Sequence, residues 1–269
     1  MIKHLFSDMD GTVLNSKGEI SEANINAIKK SELPFTLVSA RSPQKMENII
    51  NTLGIEGIHV SFNGALIFEK KNNKKIILHK QPLDFSVAKN LVLDIRDKFP
   101  STGISLYDEL NWKIDLETEE IRREYNIVKV AYNIVDFREY FKKENDIYKV
   151  SFIEYDNEIF EKIVDYVQKK YSNEELTFQR SLSGYLEITH LNAKKSKGIE
   201  FISNLEKLTK NELAAFGDGQ NDIPMFETVG YSVVMGNAPD DVKKYADYVT
   251  KSNSEDGVAH AIENYIKNI

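Results

Sequence analysis

Three short apolar runs alternate with two helix-like stretches over residues 1–62, and this rhythm constrains the fold more than any other feature of the chain. The runs lie at 4–7, 35–38 and 58–62. Between them, a helix is expected at about 21–30 with Ser21 as its N-cap, and another from Pro43 to about residue 53. Proline is tolerated in a first helical turn, where its missing N–H has no partner to lose. Brief apolar strands joined by helices predict a parallel sheet covered on both faces.

The rhythm then changes. Apolar triplets at 66–68 and 76–78 flank the polar run Lys70-Lys71-Asn72-Asn73-Lys74-Lys75, which reads as a hairpin. Residues 83–183 hold two helix-like segments (85–99 and 158–171) among β-like runs at 104–107, 112–114, 147–153 and 175–178. That mixture predicts an α+β insertion with an antiparallel sheet. Alternation resumes after Gly184, with a helix at 196–207, strands at 213–216 and 231–235, and a last helix from 255. The fold class expected is α/β. Residues 1–82 and 187–269 would form a Rossmann-like parallel-sheet core, and 83–186 an inserted α+β domain.

Composition removes whole classes of chemistry. The chain has no cysteine, which excludes disulfides, zinc–thiolate and iron–sulfur sites and cysteine nucleophiles. Its net charge of −7 gives no electrostatic reason to bind nucleic acid or an anionic membrane. No apolar stretch is long enough to span a bilayer, and the first residues turn acidic too early for a signal peptide. A cytoplasmic protein is expected, as a monomer or weak homodimer. The histidines show no metal-binding spacing, and Trp112 is expected to pack in the inserted domain.

The sharpest chemical signal is Asp8-Met9-Asp10-Gly11-Thr12, directly after the first strand. Residues two apart at a strand end face the same side, so both carboxylates can serve one site. Such sites form at the carboxyl ends of parallel strands. Two adjacent carboxylates suit a nucleophile paired with a general acid/base. A calcium-binding loop does not fit: one register puts Phe6 at the first ligand position, and the other puts Val13 at the required glycine.

A second acidic loop, Gly217-Asp218-Gly219-Gln220-Asn221-Asp222, follows another apolar strand. Its oxygen-bearing side chains suit Mg²⁺ that keeps several waters. Ser39 and the next backbone amides stand where a helix start could meet an anion. A lysine in Lys194-Lys195-Ser196-Lys197-Gly198 could neutralise a bound phosphate.

With these residues in this order, the chain resembles the haloacid dehalogenase (HAD) superfamily of phosphotransferases over essentially its whole length. Within it, the Cof-type hydrolases with a class IIB cap are the nearest pattern. The resemblance implies that Asp8 is the nucleophile and Asp10 the acid/base. It further implies that Ser39, the amides of Met9 and Ala40, Asn221 and Lys197 hold the phosphoryl oxygens. Lys197 is chosen because it precedes Gly198. Mg²⁺ would be held by Asp8, the Asp10 carbonyl and Asp218, with Asp222 supporting the shell. Asn63-Gly64 matches the family's Asn-Gly segment, and 83–186 would be a cap that closes over the site and sets substrate specificity.

The function implied is Mg²⁺-dependent hydrolysis of a small phosphorylated metabolite, such as a sugar phosphate, through an aspartyl-phosphate. A phosphomutase or phosphotransferase of the same superfamily is the first alternative, and a non-catalytic phosphate-sensing module the second. The sequence does not name the substrate.

Overall fold

The structure, a computed structural model, describes residues 1–109, 111–180 and 184–269. It divides into two compact units. One comprises Met1–Arg41, Met46–His79 and Lys194–Ile269; the other comprises Lys80–Ala193 with Ser42–Lys45.

The first unit is built on five parallel strands in the order Tyr248–Val249, Tyr231–Val234, Leu213–Gly217, His4–Ser7 and Phe35–Leu37. Successive residues of a strand face opposite sides, and both sides here are covered. Leu5, Leu37, Phe216 and Val233 pack with the helices Glu22–Ser31, Pro43–Leu53 and Gly257–Asn264. Phe6, Val38, Ala215 and Val234 pack with Lys195–Glu206 and Ile223–Thr228. The Ser21 hydroxyl accepts from Asn24 N at 3.1 Å, which caps the first helix as expected.

The third apolar run differs from expectation. Gly57–Ser61 meets the parallel sheet through one bridge, Val38 to Val60, and otherwise pairs antiparallel with Leu66–Lys71. Leu66–Lys71 continues into Lys74–Lys80, and Asn72 and Asn73 both take the positive φ of a tight hairpin turn.

The second unit is a six-stranded sheet in the order Leu176–Arg180, Tyr185–His190, Lys149–Ile153, Gly103–Tyr107, Trp112–Ile114 and Tyr132–Ile134. All pairs are antiparallel except the last. The helices Phe85–Lys98 and Asn157–Lys170 cover one face through Leu91, Ile95, Ile163 and Val167. Trp112 is buried and donates its indole N–H to Ser105 Oγ at 2.9 Å.

Two expectations need correction. The boundary set at 186/187 falls inside Tyr185–His190, which is paired on both sides within the inserted sheet, so the unit ends at Ala193. The helix Glu119–Val128 was not expected, although Ile121, Tyr125 and Val128 fall at helical spacing and Thr118 caps it; Ile121 is its one buried residue. Among the described residues no helix is long and apolar enough to cross a membrane.

Candidate active site

His4–Ser7 and Leu213–Gly217 lie side by side and run in the same direction, so the chain leaves both at one edge of the sheet. The ladder extends one step further, with Asp8 N donating to Phe216 O at 2.9 Å. Asp8 and Asp218 are thereby brought to adjacent strand ends. Gly11 lets the two loops close on each other: its φ is +79°, and a Cβ there would stand 2.2 Å from Asp218 Oδ2. Thr12 Oγ1 donates to Asp218 Oδ1 at 2.8 Å. Asn237 Nδ2 donates to Gly11 O at 2.9 Å and to Asp218 Oδ2 at 3.3 Å.

The second loop is folded around Asp222. Its Oδ2 accepts from the backbone N–H of Asp218 and of Gly219, both at 2.9 Å. Its Oδ1 lies 2.6 Å from Lys195 Nζ, and the same ammonium lies 2.5 Å from Asp8 Oδ1. Asp222 therefore has both oxygens committed and organises the loop and the lysine. Asp8 keeps Oδ2 without a hydrogen bond among the described residues.

Burial dominates the electrostatics. Desolvation pushes the Asp8 carboxyl up to about 8; Lys195 opposes this, while Asp222 and Asp10 add to it. Desolvation likewise raises Asp218 to about 6, against the Thr12 hydrogen bond. For Lys195 burial acts downward, yet the charges of Asp222 and Asp8 outweigh it and hold the ammonium above its ordinary range. One ammonium, paired with Asp8 and Asp222, thus serves a cluster of three carboxylates, Asp8, Asp218 and Asp222, one oxygen of each lying within 4.8 Å of the others. An all-oxygen donor set with excess negative charge fits a hard divalent cation.

The lysine expected here was Lys197, and the structure corrects this. Lys197 is exposed and pairs with Glu200 at 2.7 Å on the outer face of its helix. Lys195, Ile199 and Ile202 form the buried stripe, so helical periodicity turns Lys197 away from it. Gly198 serves packing instead: a Cβ there would come 2.6 Å from Val60 Cγ1. Counting back from Ile199 and Ile202 would have selected Lys195 from sequence.

The other expected residues are distributed around these groups. Ser39 is buried just beyond Phe35–Leu37, and its hydroxyl accepts from Arg41 N at 3.1 Å. Ala40 lies in the same turn. Met9 is buried, and its carbonyl accepts from Leu14 N at 2.9 Å. Asn221 follows Gly219 and Gln220 in the second loop; a Cβ on Gly219 would stand 2.6 Å from Asn221 Oδ1. Asp10 differs from Asp8 in being exposed, with both oxygens forked by Arg41. Neither Arg41 nor Asn237 was expected, since no local pattern marks either one.

A doubly wound parallel sheet with two acidic loops at adjacent central strand ends, and a buried ammonium between them, defines an α/β enzyme of the phosphoryl-transfer type. A profile of haloacid dehalogenase-like hydrolases matches residues 5–262, and the chain belongs to that family. It is 31% identical over 267 residues to a candidate phosphatase of Haemophilus influenzae, covering 98% of each chain. Phosphatase YwpJ of Bacillus subtilis is 27% identical over 292 residues, covering 98% of this chain and 100% of that one. Among solved structures, the HAD subclass IIB sugar phosphatase BT4131 shares the fold with a TM-score of 0.81 at 23% identity, covering 98% of both chains.

Proposed function

We propose that this protein is a Mg²⁺-dependent phosphomonoesterase that hydrolyses a small phosphorylated metabolite through an aspartyl-phosphate on Asp8. One observation carries the reading. Asp8 is buried and fixed at Oδ1 by Lys195, has Oδ2 uncommitted, and sits two residues from an exposed second carboxylate, Asp10.

Asp8, the Asp10 carbonyl and Asp218 would hold the cation. When bound, it neutralises charge so that an anionic nucleophile and an anionic ester can approach each other. The remaining chemistry belongs to the chain. An Asp8 oxygen attacks phosphorus as the bond to the leaving oxygen breaks, and Asp10 gives its proton to that oxygen. Water then attacks the same phosphorus, the bond to Asp8 breaks, and Asp10 takes the water's proton. Lys195, the Ser39 hydroxyl, the Met9 and Ala40 amides and Asn221 would hold the phosphoryl oxygens.

A panel of phosphorylated metabolites, assayed for free phosphate with Mg²⁺, tests the proposal. Release of phosphate from sugar phosphates or related monoesters is expected. Transfer to a second hydroxyl without free phosphate would make the protein a phosphotransferase, and no turnover of any monoester would sink the reading.

A further inference from the structure

Arg41 grips Asp10 at two points: Nε donates to Oδ2 at 2.8 Å, and Nη2 donates to Oδ1. No other group among the described residues hydrogen-bonds the Asp10 side chain, which is 60% exposed. An exposed aspartate without such a hold would rotate among its staggered conformers.

Arg41 is itself fixed through its backbone. Its N–H donates to Ser39 Oγ at 3.1 Å, and its carbonyl accepts from Phe62 N at 3.0 Å. Asn63 N donates to Ser39 O at 2.8 Å, so one turn holds both ends of the Ser39-Ala40-Arg41 segment. That turn has three consecutive left-handed residues: Phe62 (φ 49°), Asn63 (φ 55°) and Gly64 (φ 109°). A phenylalanine in this region is strained, and such conformations persist where the surroundings over-determine them. The third residue is closely confined too, since a Cβ on Gly64 would stand 2.4 Å from Lys194 O, next to Lys195.

We propose that Arg41 is a positioning residue that aims the Asp10 carboxyl group at the leaving-group oxygen. The inference rests on the acid/base reading of Asp10 given above. A two-point fork uses one lone pair of each carboxylate oxygen and leaves the others open. The fork thus fixes where the Asp10 carboxyl group points while leaving an open lone pair on each oxygen. In the first step the bond between phosphorus and the leaving oxygen breaks, and that oxygen takes the Asp10 proton. In the second, the proton released by the attacking water returns to Asp10. Both transfers need the carboxyl group in a fixed place, and Arg41 is the group that fixes it.

The competing role for Arg41 is direct binding of a phosphoryl oxygen, and a double-mutant cycle separates the two. The probes are phenyl phosphates of graded leaving-group basicity, assayed on the wild type, Arg41→Ala, Asp10→Asn and the double variant. General acid–base assistance is worth roughly 10²–10⁴-fold, so in single-turnover phenol release, which reads the first step alone, Asp10→Asn should lose about that much on phenyl phosphate and little on p-nitrophenyl phosphate. Arg41→Ala should slow the same phenol release by about 10–100-fold in the same leaving-group-dependent way, with KM nearly unchanged. The double variant should be no slower than Asp10→Asn. Arg41→Lys, which restores one contact, should fall between wild type and Arg41→Ala and guards against a folding artefact. Losses that multiply in the double variant, or a raised KM with an unchanged leaving-group dependence, would overturn the proposal. If Asp10→Asn itself shows no leaving-group-dependent loss, the acid/base reading fails first and this inference falls with it.

Discussion

A methyl group on Gly11 would lie 2.2 Å from Asp218 Oδ2, so the first acidic loop can close on the second only because residue 11 has no side chain. Gly11→Ala should displace Asp218, reduce phosphatase turnover by about 10²-fold or more, and cost about 1–3 kcal/mol of stability at its positive φ. Gly18 is the control: its φ is +76°, but nothing lies within 4 Å of a Cβ there. Gly18→Ala should show backbone strain of about 1 kcal/mol in urea titrations and unchanged turnover. Equal effects of the two substitutions on turnover would contradict the steric argument.

The two lysines of one helix should behave in opposite ways. Lys195→Met leaves Asp8 and Asp222 buried with no cation between them, a change that typically costs about 3–5 kcal/mol. It should also lower kcat by about 10²-fold or more. Lys197→Ala breaks an exposed pair with Glu200 and should change stability by no more than about 0.5 kcal/mol, with normal turnover. Chemical denaturation and steady-state kinetics on both variants check this. A normal Lys195→Met enzyme, or a disabled Lys197→Ala enzyme, would reverse the assignment.

This correction shows what the sequence carried. The parallel core was legible because its strands are short apolar runs set between helices, and the acidic loops because two carboxylates directly follow such runs. Lys195 was legible too, but only through the stripe it shares with Ile199 and Ile202, whereas Gly198 misdirected the assignment. Arg41 could not be read: its partner Asp10 lies 31 positions away, and no periodicity links a loop residue to a neighbouring strand's loop. Tyr185–His190 was misplaced for a similar reason, since its pairing partners and not its composition set which sheet it joins.

The cluster of Asp8, Asp218 and Asp222 makes metal dependence a prediction of the proposed function. Exhaustive chelation should abolish phosphate release, and Mg²⁺ should restore it. Mg²⁺ should also raise the melting temperature of the chelated wild type, because a ligand that binds only the folded chain stabilises it by mass action. Asp218→Asn should lose most of that rise. Full activity in chelator, or an undiminished thermal shift in Asp218→Asn, would remove the metal from the account.

His59 should make the fold sensitive to acid. Its Nδ1 accepts from Leu37 N at 3.3 Å, and burial, with the nearby charges of Lys70 and His4, lowers its pKa from 6.5 to about 3. Between these values the unfolded chain binds the proton and the folded chain does not. The stability linked to His59 is therefore complete above about pH 6.5 and declines below it, by up to about 1.4 kcal/mol per pH unit. Urea unfolding at pH 5 and 7.5 should show this fall in the wild type and a shallower one in His59→Gln. Identical pH dependence in the two proteins would contradict it.

In the proposed reaction Asp8 carries the phosphoryl group. Asp10→Asn, mixed with p-nitrophenyl phosphate and Mg²⁺, should release the phenol quickly and hydrolyse the intermediate slowly. Acid quenching followed by peptide mass spectrometry then reads the result directly. A hydroxylamine-labile phosphoryl adduct on Asp8, absent from Asp8→Asn, is the predicted outcome. A phosphoryl group on another residue, or steady turnover by Asp8→Asn, would contradict it.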